Sequence, residues 1–259
     1  MPREPIDSIR ARLSSASDKE IAALVSDLAS DPRAGVRQLA EVAVRRTVRR
    51  DRESLRLTAL MERQAALHVS GYAVVAGTDE VGRGALAGPV SAAAVVLDVA
   101  CRIDGLDDSK KLLPHKRESV AAVIRERAVA FAVAHVQPGE IDSIGIGPAS
   151  RLAMTRALEA LALTVDHVLV DGNDGRVGWP ATAVIKGDSL CACIAAASVV
   201  AKVERDGLMR LLDAEYPEYG LAVNKGYSTV EHMAAIRRLG PSAIHRRSFA
   251  PCAQQGLLF

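Results

Sequence analysis

The sequence predicts an α/β domain, a mixed central β-sheet flanked by helices, with an all-α extension in front of it. Three observations lead there. Residues 6–68 keep apolar side chains at three- to four-residue spacing throughout. From Gly71 the chain changes to Val/Ala-rich strands alternating with helices. Strands come first and then alternate with helices, the order of a mixed sheet covered by helices.

In the extension, Ile6, Ile9 and Leu13 give the first helical stripe. Ser17-Asp18-Lys19-Glu20 ahead of Ile21 is a capping pattern, a hydroxyl followed three residues later by a carboxylate. Asp31-Pro32 opens a helix carrying Val36, Leu39, Ala40, Val42 and Ala43, proline being suited to a first helical turn. A longer helix is expected from Asp51 to His68, with Leu55, Leu57, Leu60, Met61 and Leu67. Beyond it, strands are expected at 72–78, 91–98, 128–136, 167–171 and 182–185. Helices are expected at 115–127, 148–162, 189–206 and 207–215, with another beginning near Thr229. The expected organisation is therefore a helical extension over 1–70, a catalytic-sized body over 71–250 and a tail over 251–259.

Composition is that of an ordinary globular protein, with 49% hydrophobic and 25% charged residues among 259. Aromatic residues make up only 3%, which argues against broad base-stacking platforms. Residues 1–70 hold 13 of the 33 Lys/Arg and 10 of the 31 Asp/Glu, a net +3, leaving 20 and 21, a net −1, for the rest. A near-neutral body suits a metal–carboxylate site, where bound cations supply positive charge. The densest basic run is Arg45, Arg46, Arg49, Arg50, Arg52 and Arg56. It reads either as a helix face lying on nucleic-acid backbone or as a solvated face with Asp/Glu partners, the commoner origin of such runs. Cys101, Cys191, Cys193 and Cys252 show no CxxC pair and no zinc-type spacing; Cys191 and Cys193, inside an apolar run, are expected to be buried thiols in a reducing compartment. With no signal-type apolar region and no run of ~20 apolar residues, a soluble cytoplasmic protein, monomeric and without membrane contact, is the expectation.

The chemistry concentrates in Thr78-Asp79-Glu80-Val81-Gly82-Arg83-Gly84-Ala85-Leu86-Ala87-Gly88-Pro89. Adjacent carboxylates close an apolar run, and neighbouring side chains of a strand face opposite sides, so Glu80 joins Asp79 only if the strand ends there. Carboxylates at a strand end suit a hard divalent cation, and glycines beside an arginine let backbone approach a phosphate or sugar. A polar hairpin turn explains Gly82 and Gly84 but not Asp79 and Glu80 together. Asp171 closes a second apolar run, His167–Asp171, in the same context. Asp188 stands before an Ala-rich helix, where an N-cap role accounts for it without any metal. Asp107-Asp108-Ser109-Lys110-Lys111-Leu112 is a polar helix entry, and Asn224-Lys225-Gly226-Tyr227-Ser228-Thr229 a turn whose tyrosine would alone read as a cap on the core.

Taken in order, these runs resemble the type 2 ribonucleases H. The first matches Asp-Glu-(Val/Ala)-Gly-Arg-Gly, the helix after Asp188 matches Ala-Ala-Ser-x-x-Ala-Lys-x-x-Arg-Asp, and Gly240–Phe249 matches the closing Gly-Pro-x-x-x-His-Arg-x-Ser-Phe. The resemblance spans roughly 72–250 and implies a ribonuclease H-like fold. It also implies hydrolysis of the phosphodiester 5′ of ribonucleotides in RNA/DNA hybrids or in duplex DNA. Asp79, Glu80, Asp171 and Asp188 would be the catalytic acids holding two Mn²⁺ or Mg²⁺ ions, Glu80 in part through its backbone. Gly82, Arg83 and Gly84 would read the 2′-OH, Lys110 would lie near the substrate backbone, and Tyr227 would pack on the following deoxyribose. Lys202, Arg205, Asp206 and His245 are given structural roles. Two departures stand out: Asn224 where the family usually has His, and Ile144-Gly145-Ile146-Gly147-Pro148 in place of an Asn-containing stretch. Gln255-Gly256-Leu257-Leu258-Phe259 is similar to the Gln-x-x-Leu-Phe peptide by which bacterial replication proteins dock on the sliding clamp, a tail strapped to its own surface being the alternative. A resolvase-type nuclease would share the acids without the Gly-Arg-Gly and Lys-Gly-Tyr sets, and a non-catalytic nucleic-acid-binding module would need none of them.

Overall fold

The computed structural model describes residues 4–253. The chain divides into two compact units, with the division between Thr58 and Ala59. The first unit contains α1 (Ile6–Ser15), α2 (Asp18–Ala29) and the first part of α3 (Ala34–Val69). Its core is the predicted stripe: Ile9, Leu13, Ile21, Leu28, Val36, Ala40 and Ala43. The capping box forms as expected, with the Glu20 amide donating to Ser17 Oγ and the Ser17 amide donating to the Glu20 carboxylate. The two helices expected between Pro32 and His68 are one helix of 36 residues. The arginine-rich run between them contains good helix formers and neither proline nor glycine, so nothing in it interrupts the hydrogen-bond ladder.

The second unit begins with the end of α3 and continues through β1 (Val75–Val81), β2 (Val90–Val96), α4 (Pro114–Arg127), β3 (Ala130–Val136), α5 (Pro138–Ile144) and α6 (Ile146–Glu159). It then runs through β4 (His167–Asp171), β5 (Ala181–Val184), α7 (Ala192–Glu215), α8 (Leu221–Asn224), α9 (Val230–Leu239) and α10 (Ala250–Ala253). The five strands form one sheet in the order β3-β2-β1-β4-β5. β1 pairs antiparallel with β2 and parallel with β4, which makes the sheet mixed, as the sequence order implies. Every residue of β2 is buried, because both sheet faces are covered.

On one face, Ala76, Ala92, Ala94, Val168 and Val170 pack on Ala149, Ala153 and Ala157 of α6. On the other, Val75 and Leu169 pack on Cys191, Cys193 and Ile194. A Cβ at Gly77 would lie 2.3 Å from the Cys193 carbonyl carbon, so the start of α7 rests directly on β1. Both thiols are buried as expected, and burial pushes Cys191 up to about 11.

α7 is a single helix where two were expected. A Cβ at Gly207 would meet nothing nearer than Arg210 at 3.9 Å, and glycine lowers helix stability without forcing a break. Gly207→Ala is therefore expected to stabilise the protein by about 0.5–1 kcal/mol. A melting temperature at or below that of the parent protein would contradict this account of the helix.

Candidate active site

Alternation along β1 places Asp79 on the side of Val75 and Gly77, facing α7, and the parallel register Thr78↔Val170 sets Asp171 beside it. Asp188 arrives from the far side of β5. Lys186 takes the left-handed conformation (φ 58°), followed by a single 3-10 turn, Gly187–Ser189. A Cβ at Gly187 would lie 2.5 Å from Ile194 Cδ1 and 3.2 Å from Asp171 Oδ1, so this turn packs against the second acid. The Asp188 amide donates to Asp171 Oδ1 at 3.3 Å. One carboxylate oxygen from each of Asp79, Asp171 and Asp188 lies within 4.8 Å of the others.

Two expectations change. Asp188 does not cap α7: the helix starts at Ala192, and its N-cap, Cys191, makes no side-chain cap. The intervening 3-10 turn carries Asp188 to the other acids instead. Nor does β1 end at Asp79. It continues to Val81, paired with Ser91, so alternation turns Glu80 to the opposite side. The Glu80 carboxylate lies 3.4 Å from Arg83 and outside the group of three. It nonetheless senses the cluster: burial raises its pKa, Arg83 opposes the rise, and the charge of Asp171 adds to it.

The three acids crowd negative charge in a dry place. Asp79 is only 4% exposed and is held well above the ordinary carboxylate range, first by burial and then by the charges of Asp171 and Glu80. Asp171 is raised by burial and by Asp188. The opposing contacts are few. Ser198 hydrogen-bonds the Asp79 carboxylate and exchanges a 2.9 Å bond with Ser109. Lys110 Nζ stands 3.2 Å from Asp188 Oδ2; burial works against its charge, but Asp188 and the other acids hold its pKa above the usual lysine value. Hard oxygen donors held together against their own repulsion fit a divalent cation, whose charge would relieve it.

The Gly82–Pro89 loop follows directly. Gly82 has φ 85°, and a Cβ there would lie 2.0 Å from Arg205 Nε. Arg205, fully buried, donates to the carbonyls of Pro89, Lys225 and Ala87 at 2.9, 2.9 and 3.1 Å. Arg246, also fully buried, donates to the Gly88 and Arg83 carbonyls. The Gly226 carbonyl accepts from the Leu86 amide at 2.7 Å, which ties this loop to the Lys225–Tyr227 turn. Asn224 has a job of its own: it donates to the Tyr219 carbonyl and accepts from the Gly226 amide, pinning the turn in which Lys225 is left-handed. Tyr227 is half-buried, with the Arg205 guanidinium 5.4 Å from its ring centre. By contrast, a Cβ at Gly84 would touch nothing within 4 Å. The protein itself does not require glycine there.

The sequence reading missed three of these parts: Ser198, and Arg205 and Arg246 as anchors of the loop. Arg205 was given a structural role with Lys202 and Asp206; of the two cations Lys202 meets Asp206, at 2.7 Å, and Arg117 lies 3.6 Å from the same carboxylate. Nothing local marks an arginine as buried; the only sequence signal is Gly82, whose space Arg205 takes.

Behind the tyrosine turn, His245 and His232 form a relay. The Ser242 amide must donate, so His245 Nδ1 accepts and its Nε2–H points at His232 Nε2, 3.2 Å away. His232 Nδ1–H then donates to the Tyr227 carbonyl. Both rings are held neutral. Burial and the neighbouring His232 push His245 down to about 4 from 6.5. As pH falls the unfolded chain takes up the proton first, so stability is lost between about 6.5 and 4, by roughly 3 kcal/mol. His245→Asn is expected to remove that part of the pH dependence, as read by denaturation at each pH; parallel profiles for the two proteins would contradict it.

Comparison with known proteins agrees with this geometry. The family model described as ribonuclease HII matches residues 76–252, and that of the ribonuclease HII N-terminal domain matches residues 5–67. A ribonuclease HII from Desulfitobacterium hafniense (strain Y51) is 46% identical over 228 residues, 88% of each chain. Among solved structures, the ribonuclease H2 of Pyrococcus horikoshii OT3 superposes with a TM-score of 0.61 at 26% identity, covering 70% of this chain and 96% of its own. The ribonuclease HII of Archaeoglobus fulgidus, solved as a complex with PCNA, gives 0.56 at 27%, covering 67% and 92%. The sheet order, the helical extension and these matches together give a ribonuclease H-like fold preceded by a family-specific helical domain, and the chain belongs to the ribonuclease HII family.

Proposed function

We propose that this endoribonuclease cuts the phosphodiester on the 5′ side of a ribonucleotide joined to or embedded in DNA, acting as a cytoplasmic monomer. The observation that carries the reading is the convergence of Asp79, Asp171 and Asp188 within 4.8 Å, with Asp79 on the strand that runs straight into the Gly82-Arg83-Gly84 turn. Two divalent cations, Mn²⁺ or Mg²⁺, would be held by these three acids, with Glu80 contributing from the adjoining position. When bound, they supply an activated water and a stabilised leaving oxygen.

The chain's own groups do the rest. Lys110 is a point charge already drawn to the acids, suited to meet the phosphate that arrives beside them. The backbone at Gly82, Arg83 and Gly84 reads the 2′-OH, the group that distinguishes ribose from deoxyribose. Gly84 supports this, because its bare Cα faces open space and leaves room for a sugar. Tyr227, tied to the same loop through Arg205 and Gly226, packs on the following deoxyribose. Water attacks phosphorus and the 3′-oxygen leaves, so the ribonucleotide keeps a 5′-phosphate and the upstream strand a 3′-OH.

The test is a duplex with one ribonucleotide, compared with 2′-deoxy and 2′-O-methyl versions at the same position. Cleavage confined to the 2′-OH substrate, with those end groups, is expected; comparable cutting of the all-DNA duplex would overturn the reading. The tail segment Gln255–Phe259 lies outside the described residues. The PCNA complex of the Archaeoglobus protein supports its reading as a clamp-docking peptide. Clamp pulldown with and without the last five residues tests it, and equal capture of both forms would sink it.

A further inference from the structure

We infer that Arg45, Arg49 and Arg52 of α3 form a backbone-binding stripe that holds the phosphates of duplex DNA, independently of sequence or of the sugar at the cleavage site. The inference takes duplex nucleic acid as the partner from the function proposed above, and goes beyond it by assigning the helical domain a role. At 100° per residue, these three side chains fall within an arc of about 60°, along roughly 10 Å of helix, and Arg56 continues the same line one turn on. Arg45, Arg49 and Arg52 are all exposed.

Two features distinguish the stripe from an ordinary solvated face. First, it is poorly compensated. Arg45 meets Glu41 at 3.0 Å, on a pair whose side chains are 77% and 64% exposed. Arg56 is engaged by Glu53. Among the described residues, no acidic side chain pairs with Arg49 or Arg52. Second, like charges three and four residues apart oppose helix formation, so the sequence maintains a repulsive line that an isolated helix would disfavour. A polyanion turns that repulsion into attraction.

The charge distribution makes the same point. Residues 71–259, which carry the acidic cluster, have a net charge of −1, while residues 1–70 carry +3. The substrate is a polyanion with one charge per ~1.7 Å of duplex axis, and the body that cuts it offers no net attraction. The attraction comes from the extension, chiefly from this run of α3. Guanidinium suits the task, since its planar fork pairs with phosphate oxygens.

The stripe predicts a salt effect. Each phosphate neutralised makes the slope of log K against log[salt] steeper by ~0.9. In the full-length protein, R45Q/R49Q/R52Q is expected to make this slope shallower by about 2–3 and to weaken binding near 0.15 M salt by roughly 10- to 100-fold. The loss should be equal on an all-DNA duplex and on the same duplex with one ribonucleotide, while kcat at saturating substrate is unchanged. A charge-matched control, K19Q/R237Q/R238Q, is expected to change the slope by less than about 1. The inference is overturned if the stripe variant shifts the slope no more than the control, the result expected if the arginines serve an acidic protein or solvent alone. Because the readout is binding to plain duplex, it stands apart from cleavage: a protein that failed to select ribonucleotides would still report on the stripe. Circular dichroism of the variant checks that α3 persists, and all three sites are exposed, so folding is not at stake.

Discussion

Asp79→Asn is expected to abolish cleavage, by ~10³-fold or more, while binding of the uncut duplex persists and the metal-free protein becomes more stable. The two halves of this result have one cause. Asp79 is buried and close to Asp171 and Asp188, so its charge is unfavourable in the fold; burial, then the charges of Asp171 and Glu80, raise its pKa. Asparagine keeps the shape, and still accepts from Ser198, but removes the charge. Stability is expected to rise by about 1–2 kcal/mol, as happens where a fold has carried strain for the sake of activity. The same substitution should remove the stabilisation that added Mn²⁺ gives the parent protein, since a cation binding only the folded state stabilises by RT ln(1 + [L]/Kd). Cleavage retained by the purified variant would rule out Asp79 as an essential acid. Unchanged Mn²⁺ stabilisation would place the cation elsewhere.

The second large effect belongs to a residue that touches no substrate in this account. Arg205→Met fills the same space but leaves the carbonyls of Pro89, Lys225 and Ala87 without a donor. A buried acceptor left unpaired costs about 1–3 kcal/mol, so a loss of roughly 3–5 kcal/mol in stability is expected, part of it offset by no longer burying a charge. For a protein of this size that corresponds to ~6–20 °C in melting temperature. Arg205 also joins the Gly82 loop to the Lys225–Tyr227 turn, so surviving folded protein should show raised KM and weakened preference for the ribonucleotide junction. Arg205→Lys, which keeps a donor, is expected to recover part of both. A melting temperature within about 2 °C of the parent would contradict the anchoring role.

What could be read from the sequence follows from how local each cause is. Asp79 and Asp171 were legible because an acid closing an apolar run is a local pattern, and two parallel strands bring such ends together. The direction of the Glu80 side chain was not legible because the end of β1 is set by its partner: pairing with β2 extends the strand through Val81, which no local signal announces. Asp188 was legible as an acid at the site but not in its means of getting there. Gly187-Asp188-Ser189 resembles a helix entry, and only contact with Asp171 and Ile194 makes it a separate turn. α5 was missed since seven residues hold too few apolar positions for a period to show. The arginine anchors were hidden for a different reason: polarity predicts exposure, and only the surrounding ring of carbonyls permits their burial.

On the function proposed above, Asp79, Asp171 and Asp188 form a cation site whose work is ribonucleotide-directed hydrolysis. The most direct measurement uses an end-labelled DNA duplex with one ribonucleotide at a known position, incubated with the full-length protein in Mn²⁺ and again with excess EDTA. A single cut 5′ to the ribonucleotide in Mn²⁺, lost in EDTA and lost in Asp171→Asn, is the predicted result. Cutting that persists in EDTA, or that falls elsewhere along the duplex, would contradict it.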